Sequence, residues 1–325
     1  MAYITFALEV IYQRIGLGDF TMYVNAMMSF SNAMKDLMKS ILSIREFSGY
    51  YEALEQYMNV PARIQEGKGQ MAPEQFHTIE FRNVSFRYPG QNTYSLKNIN
   101  LTINAGEKLA VVGENGAGKT TFIKLLCRLY DPTEGEILLD GICIKDISYD
   151  SYLKLIGAVF QDYKLFAFTL KENICFDHEE NDENIIDILQ KNGMGDKIVE
   201  LDKGIHTSVY KTFDENGFEP SGGEGQKIAL ARAIYKDAPI ILLDEPTSAL
   251  DPKAENELYQ NFYNIVKGKT AVFISHRMSS TRFCDRIILF QAGKIIETGT
   301  HEKLMAQKGK YYELFQMQAQ YYVKL

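Results

Sequence analysis

Cysteine is scarce in this sequence, with only Cys127, Cys143, Cys175 and Cys284 among 325 residues. Their spacing fits no zinc or thiol-redox pattern, so the expectation is reduced, mostly buried thiols in the cytosol. Excess positive charge is also absent. A formal net charge of −7 at pH 7 argues against a dedicated nucleic-acid binder, which carries a basic face. It leaves polyphosphate open, because a loop of backbone N–H groups holds phosphate without net positive charge. The opening residues, MAYITFALEV, lack the basic region and small-residue cleavage site of a signal peptide, and Glu9 breaks their apolar run. No internal repeat or low-complexity tract is visible. What remains is 46% hydrophobic and 24% charged, a globular balance that allows a sizeable core.

Two regions differ in character. Residues 1–60 are rich in Met, Tyr, Phe and Ile and hold no motif with chemistry. Gly16-Leu17-Gly18-Asp19 reads as a turn. After it, Val24, Met27, Met28, Met34, Leu37, Met38, Ile41 and Leu42 recur at helical spacing. Asn25, Ser29, Asn32, Asp36, Lys39 and Ser43 fall on the opposite face, so one long amphipathic helix is expected. Lys35, Asp36 and Lys39 interrupt the ~20 apolar residues that a complete membrane span requires. Two readings stay open: a soluble helix packed on a partner, or a bundle helix whose polar stripe faces a water-filled cavity. Residues 61–75, with Pro61, Gly67, Gly69 and Pro73, read as a linker.

From about Phe76 onward, strand-like and helix-like segments alternate, which predicts an α/β domain. Expected strands are Ile79–Phe86, Leu96–Ile103, Lys108–Val112 and Ile156–Phe160, with a hairpin of Glu136–Leu139 and Ile142–Ile144 around Asp140-Gly141. Three further strands are Ile240–Leu243, Ala271–Ile274 and Arg286–Phe290. The last pairs with Lys294–Glu297 across Ala292-Gly293, and Thr300 is placed to cap a final helix. Residues 169–201 read as mostly helical, most clearly Asn181–Asn192.

Two stretches carry chemistry. Gly113, Glu114, Asn115, Gly116, Ala117, Gly118, Lys119 and Thr120 match G-x-x-x-x-G-K-[ST] between a strand and a helix. Glycines let successive N–H groups curl around a phosphate, and the helix N-terminus adds its positive end. Lys119 is placed for the β- and γ-phosphates and the Thr120 hydroxyl for Mg²⁺; Thr121 follows as a further nucleotide-binding residue. Downstream, the apolar run Ile240–Leu243 ends in Asp244 and Glu245. Alone this is a weak signal. Beside a phosphate loop it suits a metal-holding Asp244 and a Glu245 that orients and deprotonates water.

Ser221-Gly222-Gly223-Glu224-Gly225-Gln226, ahead of the apolar Ile228–Ala233, resembles the signature motif of ABC ATPases. Asp244-Glu245-Pro246-Thr247-Ser248-Ala249-Leu250-Asp251 resembles the family's acidic strand end and D-loop. Ser275-His276 resembles its switch histidine, Gln161-Asp162 its Q-loop and Tyr88 its adenine-contacting aromatic. Taken singly, Tyr88 is as well read as a packing tyrosine and His276 as a core histidine; the six elements in family order over about residues 76–320 make the resemblance specific. It implies a P-loop NTPase fold of RecA-like core, antiparallel β-subdomain and helical subdomain (about 162–232) within residues 76–325. It implies ATP and Mg²⁺ as cofactors, with Tyr88 on the adenine, Gln161 on Mg²⁺ or the attacking water, and His276 on the γ-phosphate. Ser221, Gly222, Gly223 and Glu224 would meet the nucleotide of a second ABC subunit, identical or not, and Asp251 would brace the seam.

The first region, Gly16–Phe20 plus a long helix, resembles the end of an exporter-type membrane domain. The expectation is a truncated half-transporter, or a fragment of a longer gene, whose residues 1–60 are the remnant of that domain. It would sit at the cell membrane with the ATPase domain on the cytoplasmic face, Asn25, Ser29, Asn32 and Asp36 bordering the path, and no nucleic-acid partner. A soluble, non-transport ABC ATPase is the alternative, and a regulatory module that never hydrolyses ATP is a third reading that Glu245 opposes. Two departures stand out: Pro220 where the family usually has Leu, and a long acidic Lys211–Glu219 before the signature.

Overall fold

The computed structural model describes residues 2–12, 16–61, 64, 66–176, 178–179, 181–245, 266–275 and 278–323. The chain divides into two compact units, Met1–Arg63 and Ile64–Leu325.

The first unit is a pair of helices, α1 (Ala2–Ile11) and α2 (Leu17–Met58). Gly16 caps α2 with its own N–H on the Asp19 carboxylate at 3.2 Å. Leu17, Gly18 and Asp19, expected as a turn, are therefore the helix's first turn, with Asp19 favourably placed at the positive end. Most of the apolar side chains that recur along α2 are exposed, Met34 by 48% and Leu42 by 63%, while Val24 and Met27 are half-buried. No described helix is long and apolar enough to cross a membrane.

The second unit starts with a chain segment fastened to it. Gln70 bridges Ile147, Ser148 N–H donates to the Gln70 carbonyl at 2.7 Å, and Ala72 N–H donates to Ser151 Oγ at 2.7 Å. Four strands follow as an antiparallel sheet in the order β2-β1-β4-β5: β1 (Thr78–Phe86), β2 (Leu96–Asn104), β4 (Glu134–Leu139) and β5 (Ile142–Cys143). The Asp140-Gly141 turn has φ of 48° and 79°, the paired left-handed residues of a tight hairpin. The Asp140 carboxylate also accepts the backbone N–H groups of His77 and Thr78 at 2.8 and 2.7 Å. Mid-sheet, β1 bulges, and a side chain on Gly135 would sit 2.3 Å from the Asn83 carbonyl, so that crossing demands glycine.

The other sheet has six strands in the order β10-β9-β3-β8-β7-β6. Five are parallel: β3 (Lys108–Gly113), β6 (Ile156–Val159), β7 (Ile240–Asp244), β8 (Thr270–Ile274) and β9 (Arg286–Gln291). The edge strand β10 (Lys294–Gly299) runs antiparallel to β9. All five β7 residues and all five β8 residues are buried, as strands covered on both faces require. Helix α3 (Lys119–Leu126) lies between the sheets: Phe122, fully buried, stacks on Phe81 with centroids 4.7 Å apart and meets Phe290 at 5.6 Å.

Beyond β6, α5 (Leu170–Cys175), α6 (Asp182–Lys191), α7 (Gly195–Glu200) and α8 (Gly222–Tyr235) share a separate core that includes Leu170, Ile174, Ile185, Leu189, Ile228 and Ala231. A short helix α4 (Tyr149–Lys154) precedes β6. The described chain ends in α9 (His301–Gln307), whose Thr300 cap accepts Lys303 N–H, and α10 (Lys310–Val323). The fold is thus α/β with a helical subdomain and a long N-terminal helix. Cys127 and Cys175 are buried free thiols, and burial pushes Cys127 up to about 12.

Candidate functional site

Strand β3 delivers the chain into the glycine loop at a point where the backbone has no room. Gly113 has φ of 148°, and a Cβ there would lie 2.3 Å from the Phe290 carbonyl on β9. Gly116 and Gly118 are left-handed, with φ of 76° and 108°. The loop is pinned across its middle, with Gly293 N–H donating to the Ala117 carbonyl at 3.0 Å and Lys97 N–H donating to the Gly293 carbonyl at 2.8 Å. Lys119, 5% exposed, folds its ammonium back onto the loop, where Nζ donates to the Gly113 and Glu114 carbonyls at 2.9 and 3.0 Å. Burial lowers its pKa, and the charges of Glu245 and Asp244 act to raise it. A lysine facing two carboxylates over a glycine loop is a cation held ready for an anionic ligand.

The two acids leave β7 differently. Asp244 is 1% exposed, and its Oδ1 has no hydrogen-bond partner among the described residues. Burial pushes its carboxyl up to about 6, with a Thr120 hydrogen bond acting the other way. Glu245 has φ of 54°, a left-handed backbone that turns its side chain away from the strand line, while its N–H stays on the Ile274 carbonyl at 3.1 Å. Such a conformation in a non-glycine residue costs about 1–3 kcal/mol and persists where its surroundings fix it.

A cavity of about 890 Å³ opens over the loop. Asn115, Gly116, Gly118, Lys119, Thr120 and Thr121 form its floor, and Gln161 and Glu245 stand at its side. Tyr88 lines it as well. Its hydroxyl is 3.1 Å from Thr121 Oγ1, and Phe86 and Tyr130 meet its ring edge-on at 5.0 and 5.3 Å. Gly113, Glu114 and Ala117 do not line the cavity.

Magnesium fits the donors present. A buried carboxylate oxygen without a partner and the Thr120 hydroxyl beside it are hard oxygen ligands. Among the described residues no three His, Cys, Asp or Glu side chains cluster as a metal cage. Two protein oxygens with phosphate and water completing the shell is how magnesium is usually held.

Residues 96–248 match the ABC transporter family. Those residues are similar to the ATPase domain of ABC transporters. It is similar to the subtilin transport ATP-binding protein of Bacillus subtilis, 40% identical over 90% of this chain and 48% of that protein. It is similar to an ATP-dependent lipid A-core flippase of Syntrophus aciditrophicus, 42% identical over 80% of this chain and 42% of the flippase. Among solved structures, a bacterial Atm1-family ABC exporter with ATP bound superposes with a TM-score of 0.78 at 30% identity, covering 85% of this chain and 48% of that one. The chain spans about half the length of these relatives.

The ATPase domain holds its signature residues apart from the cavity. Ser221 is exposed as N-cap of α8, and none of Ser221, Gly222, Gly223 and Glu224 lines the cavity. The Glu224 carboxylate accepts both the N–H and the hydroxyl of Ser221 at 2.8 Å. Burial acts to raise its pKa, but these bonds, with Lys197 and Lys227, hold it below the usual range. Two expected elements, His276 and the 246–251 stretch with Asp251, lie outside the described residues. The acidic stretch before the signature closes on itself: Tyr210 N–H donates to the Phe218 carbonyl, Lys211 N–H to Glu219 Oε1, and Asp214 pairs with Lys203 at 3.1 Å. The motifs missed part of the cavity wall, namely Gln91, Thr93, Tyr94, Ser95, Lys97 and the Ala292-Gly293 turn.

Proposed function

We propose that this chain is the motor part of an exporter-type ABC half-transporter, hydrolysing ATP in a dimer to drive a solute across the cell membrane from the cytoplasmic face. One observation carries the reading: Lys119 and Glu245 line one cavity over a left-handed glycine loop, and the buried Asp244 behind them acts by its charge on the same Lys119.

Residues have distinct tasks. The loop N–H groups from Gly113 to Thr120 and the α3 N-terminus cradle the phosphates, and the Lys119 ammonium exchanges its two carbonyl partners for phosphate oxygens. Tyr88 offers a fixed ring to the adenine. Asp244 and Thr120 would hold magnesium, with Gln161 beside them, and magnesium bound there would supply charge neutralisation for the phosphates. Glu245 accepts the proton of an in-line water, and His276 donates to the γ-phosphate. Ser221, Gly222, Gly223 and Glu224 meet the phosphates bound by the partner subunit. The exposure of Ser221 and Gly222 at the N-terminus of a helix, away from their own cavity, supports that division of labour.

Residues 1–60 are read as the end of a membrane domain, 61–75 as the connection and 76–325 as the nucleotide-binding domain. The names of the relatives, a subtilin transport protein and lipid A-core flippases, support export rather than a soluble ABC ATPase role. In this reading Asn25, Ser29, Asn32 and Asp36 border the translocation path.

The test compares the unmodified chain with Glu245→Gln. Magnesium-dependent phosphate release is expected from the former. The latter should release none and elute as a dimer on size exclusion in ATP. No ATPase activity, together with no ATP-dependent dimer of Glu245→Gln, overturns the motor.

A further inference from the structure

Tyr94 closes the hairpin loop that Tyr88 opens. Ser95 N–H donates to the Phe86 carbonyl at 2.7 Å, which brings the two ends of the loop side by side. Both tyrosines line the cavity. Tyr94 is fixed at two points. Its hydroxyl donates to the Glu134 carboxylate at the start of β4. The Arg87 guanidinium sits over its ring, 5.7 Å from the centroid. A ring held this way has little rotamer freedom left to lose when a flat ligand settles against it.

The neighbourhood points to the kind of ligand. The glycine loop and Lys119 supply the cavity's anion-binding groups, and Tyr94 and Tyr88 supply aromatic rings to the same cavity. Tyr88 is backed by Phe86 and Tyr130, and the Lys124 ammonium lies 6.0 Å from its ring centroid. An aromatic face recognises a nucleobase by stacking, whatever the donors and acceptors on the base edge.

We infer that Tyr94 is a second nucleobase-contacting residue, so that the base of a nucleoside triphosphate is gripped by two tyrosines from the two ends of one loop. The inference rests on the nucleotide reading of the cavity and adds a residue that senses the base and ignores the phosphates. It predicts weak discrimination between the two purines, because stacking does not read the base edge.

The experiment titrates the full chain by calorimetry with ATP and with inorganic tripolyphosphate, without divalent metal so that no hydrolysis intervenes. Tyr94→Ala should weaken ATP by about fivefold or more, the scale of one lost stacking partner. Tripolyphosphate affinity should stay within about twofold, because it has no base to stack. Tyr94→Phe should keep most of the ATP affinity. Unchanged ATP binding in Tyr94→Ala overturns the inference. So does an equal loss of ATP and tripolyphosphate, which assigns Tyr94 a purely structural role. So does a Tyr94→Phe variant as weak as Tyr94→Ala, which shifts the effect to the hydroxyl. An unmodified chain that binds neither ligand overturns the nucleotide reading itself, and this inference with it.

Discussion

Two glycines of one loop should respond very differently to the same added methyl. At Gly113 the new Cβ would stand 2.3 Å from the Phe290 carbonyl oxygen, while at Gly116 nothing lies within 4 Å. Both residues have positive φ, so each alanine carries a backbone penalty of about 1–2 kcal/mol. For Gly116→Ala that is the whole expected loss of stability. For Gly113→Ala the backbone of β3 or β9 must also move by roughly an ångström, and both strands lie inside a buried sheet that yields poorly. Overpacking of this kind adds about 1–3 kcal/mol, so a total of about 2–5 kcal/mol is expected. The functional effect follows the same order. The Gly113 carbonyl is one of the two that hold Lys119 Nζ, so its displacement unseats the phosphate-binding cation. Urea denaturation of both variants measures the stability difference, and ATP titration measures the second effect. A Gly113→Ala protein as stable as Gly116→Ala, with ATP affinity intact, refutes the reasoning.

Arg232→Ala should loosen the helical subdomain by about 2–4 kcal/mol, because it removes the Arg232 bonds to the Asn173 and Lys164 carbonyls and its stacking over Phe176. Hydrogen exchange should show the loss in α5 and α8 rather than in β3. Tyr311→Phe should lower stability by about 1–3 kcal/mol, since a fully buried hydroxyl shared with Thr281 and His301 disappears and leaves them short of a partner; a melting temperature equal to the parent's contradicts this. Asp140 predicts a pH effect. Burial acts to raise its pKa, but the N–H groups of Thr78 and His77 prevail and hold it below the usual carboxylate value of 3.8. Its contribution is therefore present above that value and is lost as the pH falls through the depressed one. Asp140→Asn should remove that part of the acid sensitivity, read from melting curves at pH 7 and at pH 3. Chelating magnesium should abolish ATP hydrolysis while leaving ATP binding measurable, and persistent turnover in a chelator would remove Asp244 and Thr120 from the role given to them.

The parts of the fold visible in the sequence are those set by local pattern. Apolar runs gave the parallel strands within a residue or so, and Asp140-Gly141 marked its hairpin because only residues tolerant of left-handed φ fit that turn. Gly16-Leu17-Gly18-Asp19 misled slightly, since Asp19 serves as a cap from inside the first helical turn. Gly135 carried no signal because its need arises only when Asn83 of another strand presses against it. The same holds for the site. Lys119 and Asp244 were legible as motif members, but the orphaned Oδ1 of Asp244 is a property of packing. Tyr94 was illegible, as its relevance comes from a loop closing beside Tyr88 and from Glu134 on another strand.

The backbone of Gly293 touches two partners at once, and this has a mechanical consequence. Its carbonyl takes the N–H of Lys97 on β2, the strand that continues the tyrosine hairpin, while its own N–H reaches Ala117 inside the phosphate cradle. One residue thus rivets the hairpin strand to the phosphate cradle. The span from ring to triphosphate is built in before any nucleotide arrives, and a tug on the hairpin is passed to the glycines within a single residue.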